Sequence, residues 1–183
     1  MNLWIKEEYT YPVIGDFLPA LTSYVHEDGK NHPAFVVVPG GGYCVVTATE
    51  GELVALKFYH KGFNAFVVTY TTCMPGPEPV RLQPLKDLSK AVVYLRRHRE
   101  KYGIDEHRVT ICGFSAGAHL CGSLAVHGDG PQIQPGGEYA GISNRPDAVV
   151  LSYPVITSGE YAHRDSFAAL LGEDASKEDL EYM

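Results

Sequence analysis

The sequence has few basic residues and no long apolar segment. Lysine and arginine number 15 against 22 aspartates and glutamates, for a formal net charge of −7. Because contacts to nucleic-acid phosphates need clustered cations, this balance argues against a nucleic-acid partner. No stretch approaches the roughly 18 apolar residues of a membrane-spanning helix, so no membrane partner is expected. Residues 1–8 lack the basic start and apolar run of a secretory signal, so the sequence predicts a cytoplasmic protein.

Cysteine is also scarce, and its spacing forms no disulfide framework or metal site. The four cysteines are Cys44, Cys73, Cys112 and Cys121, and buried free thiols in a reducing compartment are the expected state. The eight histidines show no ligand spacing such as H-E-x-x-H. Neither a metal nor another cofactor is therefore expected.

Strand and helix signals alternate after about residue 34. This pattern predicts a single α/β domain with a mainly parallel sheet and helices on both faces. Short apolar runs rich in β-branched residues predict strands at residues 34–38, 63–70, 108–112 and 148–153. Apolar residues at helical spacing predict helices at residues 50–60, 85–102 and 115–127, with shorter ones at 166–171 and 176–183.

Two regions have weaker or different signals. Residues 71–84 contain Pro75, Gly76, Pro77, Pro79 and Pro84, a density that predicts a fixed loop without regular structure. The first 30 residues predict strands at 3–9 and 21–25, which we expect to form an antiparallel flank of the sheet.

A serine between two glycines follows the third predicted buried strand. The segment Gly113-Phe114-Ser115-Ala116-Gly117 matches the G-x-S-x-G nucleophile elbow, in which a sharp strand-to-helix turn exposes a serine hydroxyl. A strand before Ser115 and a helix after it are the context that this motif requires. Ser115 is therefore the predicted catalytic nucleophile, in preference to a structural helix cap.

Three consecutive glycines follow the first buried strand. Gly40, Gly41 and Gly42 leave backbone N–H groups free to approach a ligand closely. Acyl transfer needs such donors for the oxyanion of its tetrahedral intermediate, and the N–H of Ala116 supplies another. Because both loops follow parallel strands, we expect them at the same edge of the sheet.

These motifs resemble those of a known enzyme family. The sequence is similar to α/β-hydrolase esterases of the hormone-sensitive-lipase-like and acetyl-xylan-esterase-like branch. The resemblance is carried by Pro39-Gly40-Gly41-Gly42-Tyr43, by residues 113–120 (GFSAGAHL) and by residues 152–156 (SYPVI). It implies an α/β-hydrolase fold and hydrolysis of short-chain carboxylic esters, often acetyl groups on sugars, without a cofactor. Pro39 stands where many relatives have histidine, which in them organises the loop.

The resemblance also implies an incomplete domain. In the family, the triad acid follows the strand after residues 148–153, and the histidine follows the strand after that. The sequence ends at Met183, so the chain is expected to be the first two-thirds of the domain, without its last strands. Residues 148–153 would then form an apolar sheet edge, through which we expect the chain to self-associate.

Two other histidines are candidate substitutes for the missing base. His119 lies one helical turn after Ser115 and is expected to pack under the elbow, whereas His163, with Asp147 or Asp129, has the correct chain order. Neither arrangement is favoured. A non-catalytic α/β-hydrolase-like binding protein therefore remains an alternative, and so does a peptidase or thioesterase, since fold does not fix the substrate.

Overall fold

The computed structural model describes residues 1–12, 15–74 and 78–183. Its strands are β1 (Ala20–Tyr24), β2 (His32–Val38), β3 (Asn64–Thr69), β4 (Ile104–Phe114) and β5 (Ala148–Ser152). They form one sheet in the order β1-β3-β2-β4-β5. β1 pairs antiparallel with β3, and the other pairs are parallel. The predicted parallel sheet with an antiparallel flank is therefore confirmed.

All the predicted helices are present. They are α1 (Glu52–Tyr59), α2 (Gln83–Arg97), α3 (Arg99–Tyr102), α4 (Ala116–His127), α5 (Arg164–Leu171) and α6 (Lys177–Tyr182), with 3₁₀ turns at Ala48–Glu50 and Gly137–Tyr139. Among the residues that the structure describes, no helix is long and apolar enough to cross a membrane.

The sheet is covered on both faces, as predicted. Along β2, Val36 and Val38 belong to the larger cluster, which contains the apolar residues of α2, α4 and α5. Val37 belongs to the smaller cluster, which packs against α1. A strand with apolar side chains on both faces is what the continuous apolar run of residues 34–38 predicts.

The strand predicted at residues 3–9 is wrong. Within residues 1–12, β pairing with the sheet is limited to an isolated antiparallel bridge between Asn2 and Ala20. It then turns, because the N–H groups of Glu8 and Tyr9 both donate to the carbonyl of Ile5, at 3.1 and 3.2 Å. Leu3 is buried in the core, so its apolar character reflects packing and not strand pairing.

Two further predictions differ from the structure: the loop at residues 71–84 and the helix at 85–102. α2 begins at Gln83 and includes Pro84 in its first turn, where proline is tolerated because that N–H has no intrahelical partner. The helical segment is interrupted at His98, and Gly103 ends α3 in a left-handed conformation. Part of the loop prediction, at residues 75–77, lies outside the described residues.

The cysteines are free, and two of them are buried. Cys112 and Cys121 are in the interior, whereas Cys44 and Cys73 are partly exposed. The prediction of free thiols agrees with the structure, but the prediction of burial holds only for Cys112 and Cys121.

β5 forms one edge of the sheet within the described part of the chain. It pairs with β4 along one side. Val150 is 46% exposed and Leu151 is 43% exposed, so the edge strand is open on both faces. This is the apolar edge that the sequence predicts.

Candidate active site

Ser115 lies at the turn between β4 and α4. Its φ is 51° and its ψ is −119°, a region that non-glycine residues rarely occupy and that marks local backbone strain. Its N–H donates to the carbonyl of Ser152 at 3.0 Å, which ties the turn to the end of β5. The side chain is half-buried, and its hydroxyl makes no hydrogen bond to any described residue. The predicted strand–turn–helix position of Ser115 is confirmed.

Two glycines permit this turn. A Cβ on Gly113 would lie 2.2 Å from the carbonyl oxygen of Gly117, and a Cβ on Gly117 would lie 2.1 Å from that of Val38. Both distances are far below van der Waals contact, and both involve backbone that cannot rotate away. Glycine therefore lets the start of α4 approach the end of β2 closely.

The glycine loop, residues 40–42, lies beside Ser115. A Cβ on Gly40 would be 3.0 Å from the Cβ of Ser115. The backbone has positive φ at Gly41 (127°), Gly42 (64°) and the following Tyr43 (61°). Among the described residues, the N–H groups of Gly41, Gly42 and Ala116 have no hydrogen-bond acceptor. Three unpaired donors are thus available near the serine.

The N–H of Gly40 is already paired. It donates to Oε2 of Glu50 at 2.7 Å, and Oε1 of the same carboxylate accepts from the Tyr153 hydroxyl at 2.6 Å. The hydrogen bond to Glu50 raises the pKa of Tyr153 to about 12. Glu50 therefore connects the glycine loop to the residue that follows β5.

Sequence reasoning missed the roles of Glu50 and Tyr153. Glu50 looks like an ordinary acid at the start of a helix, and Tyr153 lies at the end of a predicted strand, within the segment 152–156 that carries the family resemblance. No local pattern signals this pairing, because the two residues are 103 positions apart.

Tyr43 fixes the other end of the glycine loop. Its side chain is buried, and its hydroxyl is 2.7 Å from Nδ1 of His119. Its carbonyl accepts from the N–H of Cys73 at 2.8 Å. Burial raises the pKa of Tyr43 and lowers that of His119, so His119 is a buried neutral partner of Tyr43. It packs under the elbow, as expected from the sequence.

The other candidate base and acids are held elsewhere. His163 caps α5, with Nδ1 2.9 Å from the Ser166 hydroxyl. Asp147 accepts from Arg96 at 2.9 Å and from the Val109 N–H at 2.8 Å. It precedes β5, a strand of five residues, about 17 Å long, whose other end adjoins Ser115. Asp129 pairs with Arg145 at 2.7 Å.

No histidine reaches the serine hydroxyl. All eight histidines lie in the described ranges, and no histidine side chain forms a hydrogen bond with the Ser115 hydroxyl. The backbone N–H of His119 donates to the Ser115 carbonyl at 3.0 Å, which is a contact within the start of α4. Across residues 1–12, 15–74 and 78–183, no group of three or more histidine, cysteine or acidic side chains is arranged to hold a metal. Two cavities in the described part of the chain, of about 820 and 580 Å³, are lined by neither Ser115 nor the glycine loop.

Comparison with known proteins identifies close relatives. A family model described as BD-FAE matches residues 23–175. The chain is 49% identical over 181 residues to endo-1,4-beta-xylanase B of Butyrivibrio fibrisolvens, covering 99% of this chain and 28% of that protein. It is 30% identical over 180 residues to acetylxylan esterase of Xylanibacter ruminicola, covering 97% of this chain and 34% of that protein.

One solved structure is similar over nearly the whole chain. The acetyl ester-xyloside bifunctional hydrolase from Caldicellulosiruptor lactoaceticus superimposes with a TM-score of 0.84 and 35% identity, covering 97% of this chain and 64% of that chain. This chain thus spans less than two-thirds of the length of each of these three proteins.

Proposed function

Because the chain belongs to the BD-FAE family of esterases with the α/β-hydrolase fold, we propose that it carries the nucleophile and oxyanion donors of a carboxylic-ester hydrolase. The observation that carries the proposal is the strained turn at Ser115, with three unpaired backbone donors beside it. A helix cap or a flexible turn would require neither feature.

In the proposed mechanism, Ser115 attacks the acyl carbon. The hydroxyl loses its proton to a general base, and the alcohol departs with a proton, which leaves an acyl-serine that water hydrolyses. The absence of a hydrogen-bonded partner leaves the hydroxyl free to face an incoming ester.

The oxyanion donors are the N–H groups of Gly41, Gly42 and Ala116. Their proximity to Ser115 supports this role, since a Cβ on Gly40 would lie 3.0 Å from the Ser115 Cβ and Ala116 follows Ser115 directly. Backbone donors to a developing oxyanion typically lower the barrier by several kcal/mol. Gly40 has a different role, because its N–H is held by Glu50. It anchors the loop that presents the other donors.

The substrate class follows from the relatives. Two of the three similar proteins have names that specify acetyl esters: one is an acetylxylan esterase and the other is an acetyl ester-xyloside bifunctional hydrolase. We therefore propose short acyl esters, above all acetyl groups on a xylan-type carbohydrate.

The 183-residue chain by itself is expected to be a slow hydrolase. No histidine side chain in the described residues hydrogen-bonds the Ser115 hydroxyl, and loss of triad function costs about 10⁴- to 10⁶-fold in kcat in serine hydrolases. Acylation can nevertheless proceed if imidazole in solution acts as the base. The acyl-serine should then accumulate with an activated ester, because p-nitrophenolate is a better leaving group than the serine alkoxide that hydrolysis must release.

The experiment maps acetylation by mass spectrometry after treatment with p-nitrophenyl acetate, with and without imidazole. We expect the acetyl group on Ser115, more of it with imidazole, and none there in Ser115→Ala. Ser23, an exposed serine on β1, is the internal control for nonspecific acetylation. Acetylation of Ser115 no greater than that of Ser23 would contradict the proposal and favour a non-catalytic binding protein.

A fast Ser115-dependent turnover without imidazole would have a different meaning. It would show that the chain contains its own base, and the variants His119→Gln and His163→Gln would then identify it. The proposed nucleophile would stand, whereas the assignment of His119 and His163 to structural roles would be wrong.

A further inference from the structure

Two cysteines that are distant in sequence meet beside the glycine loop. The sulfurs of Cys44 and Cys73 are 3.3 Å apart, although the residues are 29 positions apart. Cys44 comes two residues after Gly42, and its N–H donates to the carbonyl of Gly41 at 3.0 Å. The N–H of Cys73 donates to the carbonyl of Tyr43 at 2.8 Å. The two thiols are therefore held together by the backbone around them.

Small molecules in solution can reach this pair. Both residues are partly exposed, and both line an open cavity of about 520 Å³. The cavity also carries three carboxylates, those of Glu78, Asp165 and Glu173. These carboxylates make the electrostatic potential negative at the entrance through which a small molecule would reach the thiols.

We propose that Cys44 and Cys73 are a modification site, at which exchange with a low-molecular-weight disulfide forms a reversible intrachain disulfide. The sulfurs need to move about 1 Å closer to reach bonding distance. The acidic side chains around the site favour a cationic disulfide over an anionic one.

The exchange takes two steps. The thiolate of Cys44 attacks one sulfur of the small disulfide, breaks its S–S bond and releases one small thiolate. Cys73, after losing its proton, attacks the Cys44 sulfur of the mixed disulfide and releases the second small thiol. The two cysteines lose two electrons and two protons, and the small disulfide gains them to become two thiols.

The order of attack follows from the surroundings of Cys73. Burial, followed by the hydrogen bond to the Cys44 thiol, raises the pKa of Cys73 to about 11. Its thiol is therefore seldom ionised at neutral pH, and the first attack is assigned to Cys44.

The bond would join the glycine loop covalently to the segment that follows β3. Closing a loop of about 30 residues restricts the unfolded chain, and for a domain of this size the melting temperature should rise on the order of 10 °C. Any effect on ester hydrolysis rests on the proposed function, but formation of the disulfide does not.

The test uses the native chain in buffer with cystamine, a cationic disulfide, or with glutathione disulfide, an anionic one. After excess thiol reagent has blocked the remaining cysteines, peptide mapping locates any disulfide. We expect one bond, between Cys44 and Cys73, faster formation with cystamine, full reversal by dithiothreitol and a higher melting temperature. Cys112 and Cys121 are buried and should be unmodified in the folded chain.

Matched variants make the result decisive. In Cys73→Ser, a mixed disulfide should persist on Cys44 with no rise in melting temperature, and Cys121→Ser should still form the native bond. The inference is overturned if no Cys44–Cys73 bond forms with either reagent, if other pairings dominate, or if the bond lowers the melting temperature. None of these readouts involves ester hydrolysis, so a failure here leaves the proposed function untouched.

Discussion

Replacing Gly117 with alanine tests the elbow without an enzymatic assay. The new Cβ would lie 2.1 Å from the carbonyl oxygen of Val38 and 2.4 Å from that of Pro39. Both atoms belong to the backbone at the end of β2, so no side-chain rotation can relieve the overlap. α4 would have to move away from the sheet, and the Ser115 turn would move with it.

Two opposing effects set the magnitude. Alanine is the better helix former and should stabilise α4 by about 1 kcal/mol. Overpacking of a close contact costs about 1 to 3 kcal/mol, and a clash with two backbone oxygens belongs at the upper end. The net loss should be about 2 kcal/mol in the free energy of unfolding, equivalent to a fall of about 4 to 8 °C in Tm for a chain of this size.

The control is the same substitution five residues further along α4. A Cβ on Gly122 would meet only a methyl group of Leu151, at an ordinary contact distance of 3.7 Å. Gly122→Ala should therefore gain the helix-propensity benefit of about 0.5 to 1 kcal/mol. Urea and thermal unfolding followed by circular dichroism give both values. Equal stability of the two variants would refute the close contact between α4 and β2.

Three further predictions address the surroundings of the site. Burial lowers the pKa of His119, so its contribution to stability is present above its ordinary pKa of about 6.5 and is lost as the pH falls below that value. In urea titrations, His119→Gln should therefore lose less stability than the wild type between pH 7 and pH 5. Equal losses in the two proteins would contradict the lowered pKa of His119. Glu50→Ala should speed hydrogen exchange at the Gly40 amide, which Glu50 binds, by roughly 10-fold or more. The control Glu52→Ala should not change this exchange rate. Unchanged exchange in Glu50→Ala would show that Glu50 does not anchor the glycine loop. Self-association through β5 should be weakened by Val150→Lys and not by Val126→Lys, a matched change on the exposed surface of α4. Light scattering over a range of concentrations measures the association. A wild-type chain that is monomeric throughout that range would contradict the prediction.

The parts of the fold that the sequence predicts well are those whose signal is local. Residues 34–38 and 148–153 are short β-branched runs that end at Pro39 and Pro154, and both are strands in the structure. Residues 3–9 have a weaker strand signal, with apolar residues at 3–5 followed by Lys6, Glu7 and Glu8, and they form turns because pairing with β1 ends after the single bridge at Asn2. A strand depends on a partner, and the sequence of one segment does not specify whether that partner is available.

The same distinction between local signals and contacts made in the tertiary structure applies to the candidate active site. Ser115 and the glycine loop belong to motifs that impose a backbone conformation, and the positive φ values of Ser115, Gly41 and Gly42 follow from them. Glu50 belongs to no such motif, and its position is set by a contact between distant segments of the chain. Motifs therefore predict the groups proposed to face the substrate, whereas the side chains that anchor those groups come from the tertiary structure.

The glycine loop is anchored at both ends, with the Gly40 N–H on Glu50 at 2.7 Å and the Tyr43 hydroxyl on His119 at 2.7 Å. Three consecutive glycines would otherwise be among the most mobile segments that a chain can contain. The conformational entropy of these residues is thus lost when the protein folds and not when a ligand arrives. The proposed donors are therefore preorganised, and an oxyanion bound to them would meet almost no reorganisation free energy. Mutations at the anchors should therefore act on the rate of acyl transfer more strongly than on ground-state affinity for the ester.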